Sequence, residues 1–220
     1  MLEVEGLCKS YGKQKILDHV SFTARPGTCV GIVGSNGCGK TTLLSILAGA
    51  VKADQGSIRY QGQEAIGKPA VFAREAAYVP QENPLIEELT VRDNLFLWYR
   101  GSRREREQDL KTGAAAMLGI PAMLKKPVSR LSGGMKKRLS IACALSNHAG
   151  TLILDEPGAA LDMECKADIR AYLRRYQKEG GTVILTSHER TELELCTEMY
   201  VLRNGKLEKG KTGMSEEEMI

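Results

Sequence analysis

Gly34-Ser35-Asn36-Gly37-Cys38-Gly39-Lys40-Thr41-Thr42 is the stretch on which the fold of this 220-residue chain turns. It fits the phosphate-cradling pattern G-x-x-x-x-G-K-[ST]. Before it, Cys29-Val30-Gly31-Ile32-Val33 reads as a buried strand; after it, Leu43-Leu44-Ser45-Ile46-Leu47-Ala48 has apolar residues at helical spacing. A strand, a glycine turn and a helix start gather backbone N–H groups and the positive helix end around one anion. The glycines let the backbone approach phosphate closely. Lys40 can reach the β and γ phosphates as a point charge, and the Thr41 hydroxyl suits magnesium.

Alternating elements flank that stretch. Residues 2–7, 16–24 and 28–33 predict short strands, with a turn at Tyr11-Gly12-Lys13. Residues 56–80 predict more short strands punctuated by Gly56, Gly62 and Gly67. From 90 to about 148 the pattern is mostly helical. Residues 151–154 and 182–185 read as buried strands separated by a helix over 162–179. Residues 198–209 predict a closing hairpin with Asn204-Gly205 as its turn. The order argues for a parallel sheet flanked by helices, with the helical middle inserted as a lobe. The tail with Glu216, Glu217 and Glu218 is expected to be solvated.

Size and composition bound the rest. A chain this long buries roughly 70–75% of its unfolded surface, so disulfides are not needed. The 6 cysteines form no C-x-x-C pair, which predicts reduced thiols in a cytosolic setting and neither zinc nor a disulfide framework. The net charge of +4 is too mild to argue for nucleic acid. The start has no secretory pattern, and no apolar run approaches the roughly 20 residues that span a bilayer. Any membrane role is expected to come through a partner.

Thr151-Leu152-Ile153-Leu154-Asp155-Glu156-Pro157 is a hydrophobic strand ending in two carboxylates, where ligands bind in open α/β sheets. Alternation is expected to point them in different directions. Asp155 is suited to hold magnesium and Glu156 to deprotonate an attacking water. His188 ends a second core strand, placed to meet a γ-phosphate and that water. Gln81, just past Tyr78-Val79-Pro80, can touch magnesium or water through its amide. Leu131-Ser132-Gly133-Gly134-Met135 opens a helix, and its hydroxyl, N–H groups and dipole form a second anion site. One chain needs only one phosphate reader, so a second is surplus unless it completes the site of another copy.

These motifs, in this order, resemble the nucleotide-binding ATPase of the ABC transporter superfamily over essentially the whole chain. The resemblance implies an α/β fold of the P-loop NTPase type, a RecA-like parallel sheet with an N-terminal antiparallel β subdomain and an inserted α-helical subdomain. It implies one domain over 1–220, with about 1–85 and 150–220 as the core and about 86–149 as the helical signature subdomain. Tyr11 matches the adenine-stacking aromatic. Gly34, Ser35, Asn36, Gly37, Cys38, Gly39, Lys40, Thr41 and Thr42 fall on the Walker A loop, and Gln81 on the Q-loop. Ser132, Gly133 and Gly134 match the signature, Asp155 ends Walker B, Glu156 matches the catalytic glutamate and His188 the switch histidine. Thr41, Gln81 and Asp155 are the implied magnesium residues.

Two departures stand out. Met135 replaces the usual signature glutamine, which tilts the reading toward export. Ala159-Ala160 precede Leu161-Asp162 where the D-loop often carries serine.

The resemblance further implies ATP and Mg2+ as ligands and a head-to-tail homodimer or heterodimer closed by ATP. It implies an integral membrane permease as partner and a peripheral place on the inner face of the membrane. Leu95-Phe96-Leu97-Trp98-Tyr99, apolar all round, is either core or a permease-docking surface at Trp98 or Tyr99. A soluble ATPase of the same class acting on ribosomes or DNA is the alternative, but those usually carry two ATPase domains or a long coiled coil. A P-loop kinase or GTPase would leave the signature and His188 unexplained.

Overall fold

A computed structural model describes residues 1–99, 101–159 and 161–211. Ala160 and the tail residues Glu216, Glu217 and Glu218 therefore lie outside the described residues. In chain order the strands are β1 Leu2–Tyr11, β2 Gln14–Ala24, β3 Cys29–Val33, β4 Gln55–Tyr60, β5 Gln63–Glu64, β6 Ala76–Val79, β7 Thr151–Asp155, β8 Thr182–Thr186, β9 Glu198–Arg203 and β10 Lys206–Gly210. The helices are α1 Lys40–Leu47, α2 Pro69–Glu75, α3 Val91–Trp98, α4 Arg103–Thr112, α5 Ala114–Met117, α6 Gly133–Leu145, α7 Met163–Lys178 and α8 Arg190–Leu193.

Two sheets form. One is antiparallel, ordered β2-β1-β4-β5; the other runs β10-β9-β3-β8-β7-β6 and is parallel except for β10. Strands covered on both faces read as continuous apolar runs, and β3, β7 and β8 do. Their side chains still alternate. Leu152, Leu154, Val183 and Leu185 enter the core shared with α6 and α7. Ile153 and Ile184 enter the core shared with α1 and the antiparallel sheet. The central sheet is thus the middle layer of three.

The helix α7 shows why its sequence folds as it does. Cys165, Ile169, Tyr172 and Leu173 recur at helical spacing and are all buried. Asp162 caps it, accepting from the Cys165 N–H at 2.8 Å.

Residues 56–80 depart from the sequence reading. They hold β4, β5 and β6, but Pro69–Glu75 is a helix, α2. Proline opens it, where a missing N–H costs nothing. Only Val71 in it is buried, so no apolar stripe announced it. Phe72 lies against Gly49, where an added Cβ would come within 2.5 Å of the ring. The stretch 95–99 is also sided rather than uniform. Leu95 and Tyr99 are buried, while Leu97 and Trp98 are 63% and 45% exposed. Of the two aromatics considered for docking, Tyr99 is therefore core.

Candidate functional site

The loop Gly34–Lys40 connects β3 to α1, at the carboxyl end of the parallel strands. The first turn of α1 has no side-chain cap and no acidic residue, so its leading N–H groups face outward without intrahelical acceptors. Gly39 sits at φ +110°, and a Cβ there would come within 2.7 Å of Ile16 Cγ2. Only glycine combines that backbone with that contact. The contact also seats the β1–β2 hairpin against the loop. Lys40 is buried, and its ammonium donates to Gly34 O at 2.7 Å and Ser35 O at 3.1 Å. Ser35, Asn36, Gly37 and Thr41 are exposed; Cys38 and Thr42 are half-buried.

Asp155 and Glu156 lie at the end of β7. Asp155 is 2% exposed. Its Oδ1 accepts from Thr186 Oγ1 at 2.6 Å, whereas its buried Oδ2 has no partner among the described residues. A buried carboxylate oxygen left unpaired is costly unless a cation or water meets it. With the exposed Thr41 hydroxyl, this all-oxygen chemistry fits Mg2+.

Glu156 turns out of the strand at φ +46°, so sheet alternation does not set its direction as the sequence reading expected. Its N–H donates to Thr186 O at 3.1 Å and Thr186 Oγ1 at 3.2 Å. Gln81 Nε2 donates to Glu156 Oε2 at 3.4 Å. His188 Nε2 lies 3.5 Å from Glu156 Oε1. Three residues from the ends of three neighbouring strands, β6, β7 and β8, thus meet at one carboxylate. Ser187 and Glu189 anchor the histidine's turn, since Ser187 Oγ donates to Glu192 Oε2 at 2.6 Å and accepts from the Glu189 N–H at 2.9 Å. Burial pushes the Glu192 carboxyl above its usual range.

Two residues of this site escaped the sequence reading. Thr186 orients both carboxylate positions through the register that pairs it with Asp155. Lys137, on α6, is 2% exposed and donates to Pro80 O at 3.2 Å and Gln81 O at 3.0 Å. Burial lowers its pKa, against the opposing pull of the Asp155 and Glu192 carboxylates. A buried lysine three residues past Gly134 was the available signal, but its acceptors are 56 and 57 residues away in sequence.

Ser132 caps α6, accepting from the Met135 N–H at 3.3 Å. It lines a hollow of about 140 Å³ with Gly134, Arg138, Asp162, Cys165 and Asp168. Its neighbours come from α6 and α7 rather than from residues 34–42. A Cβ on Gly134 would come within 2.5 Å of Cys165 Sγ, so that glycine is where α6 presses on α7. Tyr11 ends β1 and is 52% exposed, with Lys9 Nζ 5.2 Å from its ring centroid.

The family model described as ABC transporter matches residues 17–159. The Nod factor export ATP-binding protein I of Ralstonia nicotianae is 36% identical over 96% of this chain and 67% of its own length. The linearmycin resistance ATP-binding protein LnrL of Bacillus subtilis is 34% identical over 94% of this chain and 68% of its own. A solved ATP-binding subunit of an ABC transporter superposes with a TM-score of 0.87 at 28% identity, covering all of this chain and 97% of that one. A dimeric bacterial ABC transporter cassette superposes with a TM-score of 0.81 at 25% identity, over 98% and 100% of the two chains.

Proposed function

The chain belongs to the ABC transporter family of ATP-binding subunits, and from that premise we propose that it drives an exporter by closing head to tail on a second such domain around ATP. It is an ATPase with the P-loop NTPase fold. The observation that carries the proposal is the meeting of Gln81 and His188 at Glu156, within 3.4 and 3.5 Å.

In this reading residues 34–42 hold the triphosphate and Tyr11 stacks on the base. Lys40 exchanges its two carbonyl partners for phosphate oxygens. Thr41, Asp155 and Gln81 would hold Mg2+, which supplies charge neutralisation to the phosphates. Glu156 accepts a proton from water as the water oxygen bonds to the γ-phosphorus. The bond from that phosphorus to the bridging oxygen breaks, its electron pair leaves on ADP, and inorganic phosphate is released. His188, beside Glu156, orients the water and the γ-phosphate.

Ser132, Gly133 and Gly134 act on the nucleotide of the opposite protomer. This explains a capped helix start whose neighbours in the hollow come from α6 and the start of α7 and not from its own phosphate loop. ATP bridging both faces stabilises the closed pair; hydrolysis removes the bridge. In this reading residues about 86–149 are the lobe that carries the signature, and about 1–85 with the described residues from 150 onward are the core.

The export role named for the Ralstonia relative, together with Met135, favours outward transport. No described helix is long and apolar enough to cross a membrane, so the reading places this chain on a membrane through a separate permease.

The deciding experiment combines Ser132→Ala with Gly133→Asp. ATP affinity of the protomer is expected to stay within about twofold, while turnover falls about 10²-fold, the scale of losing a transition-state anion donor. Turnover in the wild type should rise more than linearly with protomer concentration. Unchanged turnover in the double variant, with the same concentration dependence, would overturn the composite site.

A further inference from the structure

We infer that Cys8, Asp18 and His19 form a binding site for a borderline divalent cation of the Zn2+ type, outside the nucleotide site and independent of it. The β1–β2 ladder pairs Leu7 with Val20 and Lys9 with Leu17. Between those pairs one residue of β1, Cys8, opposes two of β2, Asp18 and His19. That is a β-bulge, and bulges re-aim side chains.

Neighbours in a regular strand point to opposite faces. Here His19 sits at φ +54°, which breaks the alternation and brings its ring to the same side as Asp18. The His19 Nδ1 and Asp18 Oδ1 atoms are 2.8 Å apart, and the His19 N–H donates to Cys8 Sγ at 3.4 Å. Sulfur, nitrogen and carboxylate oxygen ligand atoms all lie within 4.8 Å of one another. Zinc-like ions bind such ligands at about 2.0–2.3 Å in a tetrahedron, so side-chain rotation that opens the Asp18–His19 contact and draws in the thiol brings the three onto one ion.

The donor set selects the metal. A thiolate with an imidazole suits Zn2+ and disfavours the hard Mg2+ of the nucleotide site. The position is rigid from behind, because the Asp18 N–H donates to Gly205 O at 2.8 Å. It is open in front, because the His19 side chain is 71% exposed, leaving a fourth coordination position to water. Lys15 opposes a cation: its Nζ lies 2.9 Å from Asp18 Oδ1. Lys15 lies three residues before Asp18 in β2 with its side chain 55% exposed, and it can swing into solvent.

The test titrates the full chain, free of nucleotide and magnesium, with Co2+ as a spectroscopic stand-in. One equivalent should produce a thiolate-to-cobalt charge-transfer band that Zn2+ abolishes. Cys8→Ser should remove the band. His19→Asn, which keeps a residue tolerant of left-handed backbone, should weaken cobalt binding more than about 100-fold, beyond the loss typical of outer-shell partners. Lys15→Gln should tighten it. Zn2+ should raise the melting temperature of the wild type and not of Cys8→Ser, whose own melt reports its folding. Absence of the band at stoichiometric metal, or its persistence in Cys8→Ser, would overturn the site. ATP turnover in Mg2+ is expected to be the same in all of these variants, so the outcome is separable from that of the ATPase reading.

Discussion

A glutamate in the left-handed region costs about 1–2 kcal/mol relative to ordinary backbone, and Glu156 is kept there by two hydrogen bonds to Thr186. Strain of this kind persists where the surroundings over-determine it. The carboxylate gains a position off the line of β7, between Gln81 and His188. Replacing it by the amide keeps shape and removes basicity. Glu156→Gln is therefore expected to bind ATP as the wild type does, to accumulate as a closed dimer and to turn over about 10²–10⁴-fold more slowly; single-turnover hydrolysis beside size-exclusion in ATP reads both. Tyr11, half in solvent at the end of β1, is proposed to stack on the base. Stacking of a base on an aromatic is worth about 1–3 kcal/mol. Tyr11→Ala should thus weaken ATP binding roughly 5–100-fold in titration calorimetry, and an unaltered dissociation constant would remove the tyrosine from the site.

At the scale of elements, α6 is tied at several points along its length. Ser132 caps it, Gly134 lets it press on Cys165 of α7, and Lys137 grips the backbone that carries Gln81. Lys137→Met keeps the stem and deletes the ammonium. Two effects on stability oppose each other, because a buried charge is removed while two carbonyls lose a donor worth about 1–3 kcal/mol. Unfolding free energy should shift by no more than about 2 kcal/mol in urea melts. Turnover should fall about 10–100-fold, the scale of mispositioning a group near the chemistry. Full activity in this variant would show that the grip is not needed.

The same elements mark what can be read from sequence. The strands β3, β7 and β8 were legible because burial on both faces leaves a run of apolar residues at their centre, and the phosphate loop because its chemistry is local. The helix α2 was not legible, since seven residues with one buried side chain carry no periodicity. Neither Thr186 nor Lys137 could be found from neighbours in the chain, because their partners arrive through sheet register and through packing between distant segments. The left-handed turn at Glu156 follows a strand and a proline follows it, a pattern that names no backbone angle in advance.

For the whole molecule, Trp98 borders a hollow with Tyr78, Pro84, Leu85 and Cys143, so it meets the segment that begins at Gln81. Leu97 and Ile86 add exposed apolar surface, and aromatic anchors dominate protein interfaces. Trp98→Ala is expected to keep ATP affinity and basal turnover and to lose co-purification with the permease from membranes; a variant that still co-purifies at wild-type yield would exclude Trp98 as an anchor. The central sheet has a further consequence at its margin. One of its two edge strands, β10, presents Lys206, Glu208 and Lys209 to water, and a border studded with ammonium and carboxylate groups disfavours pairing with a stray strand along that side.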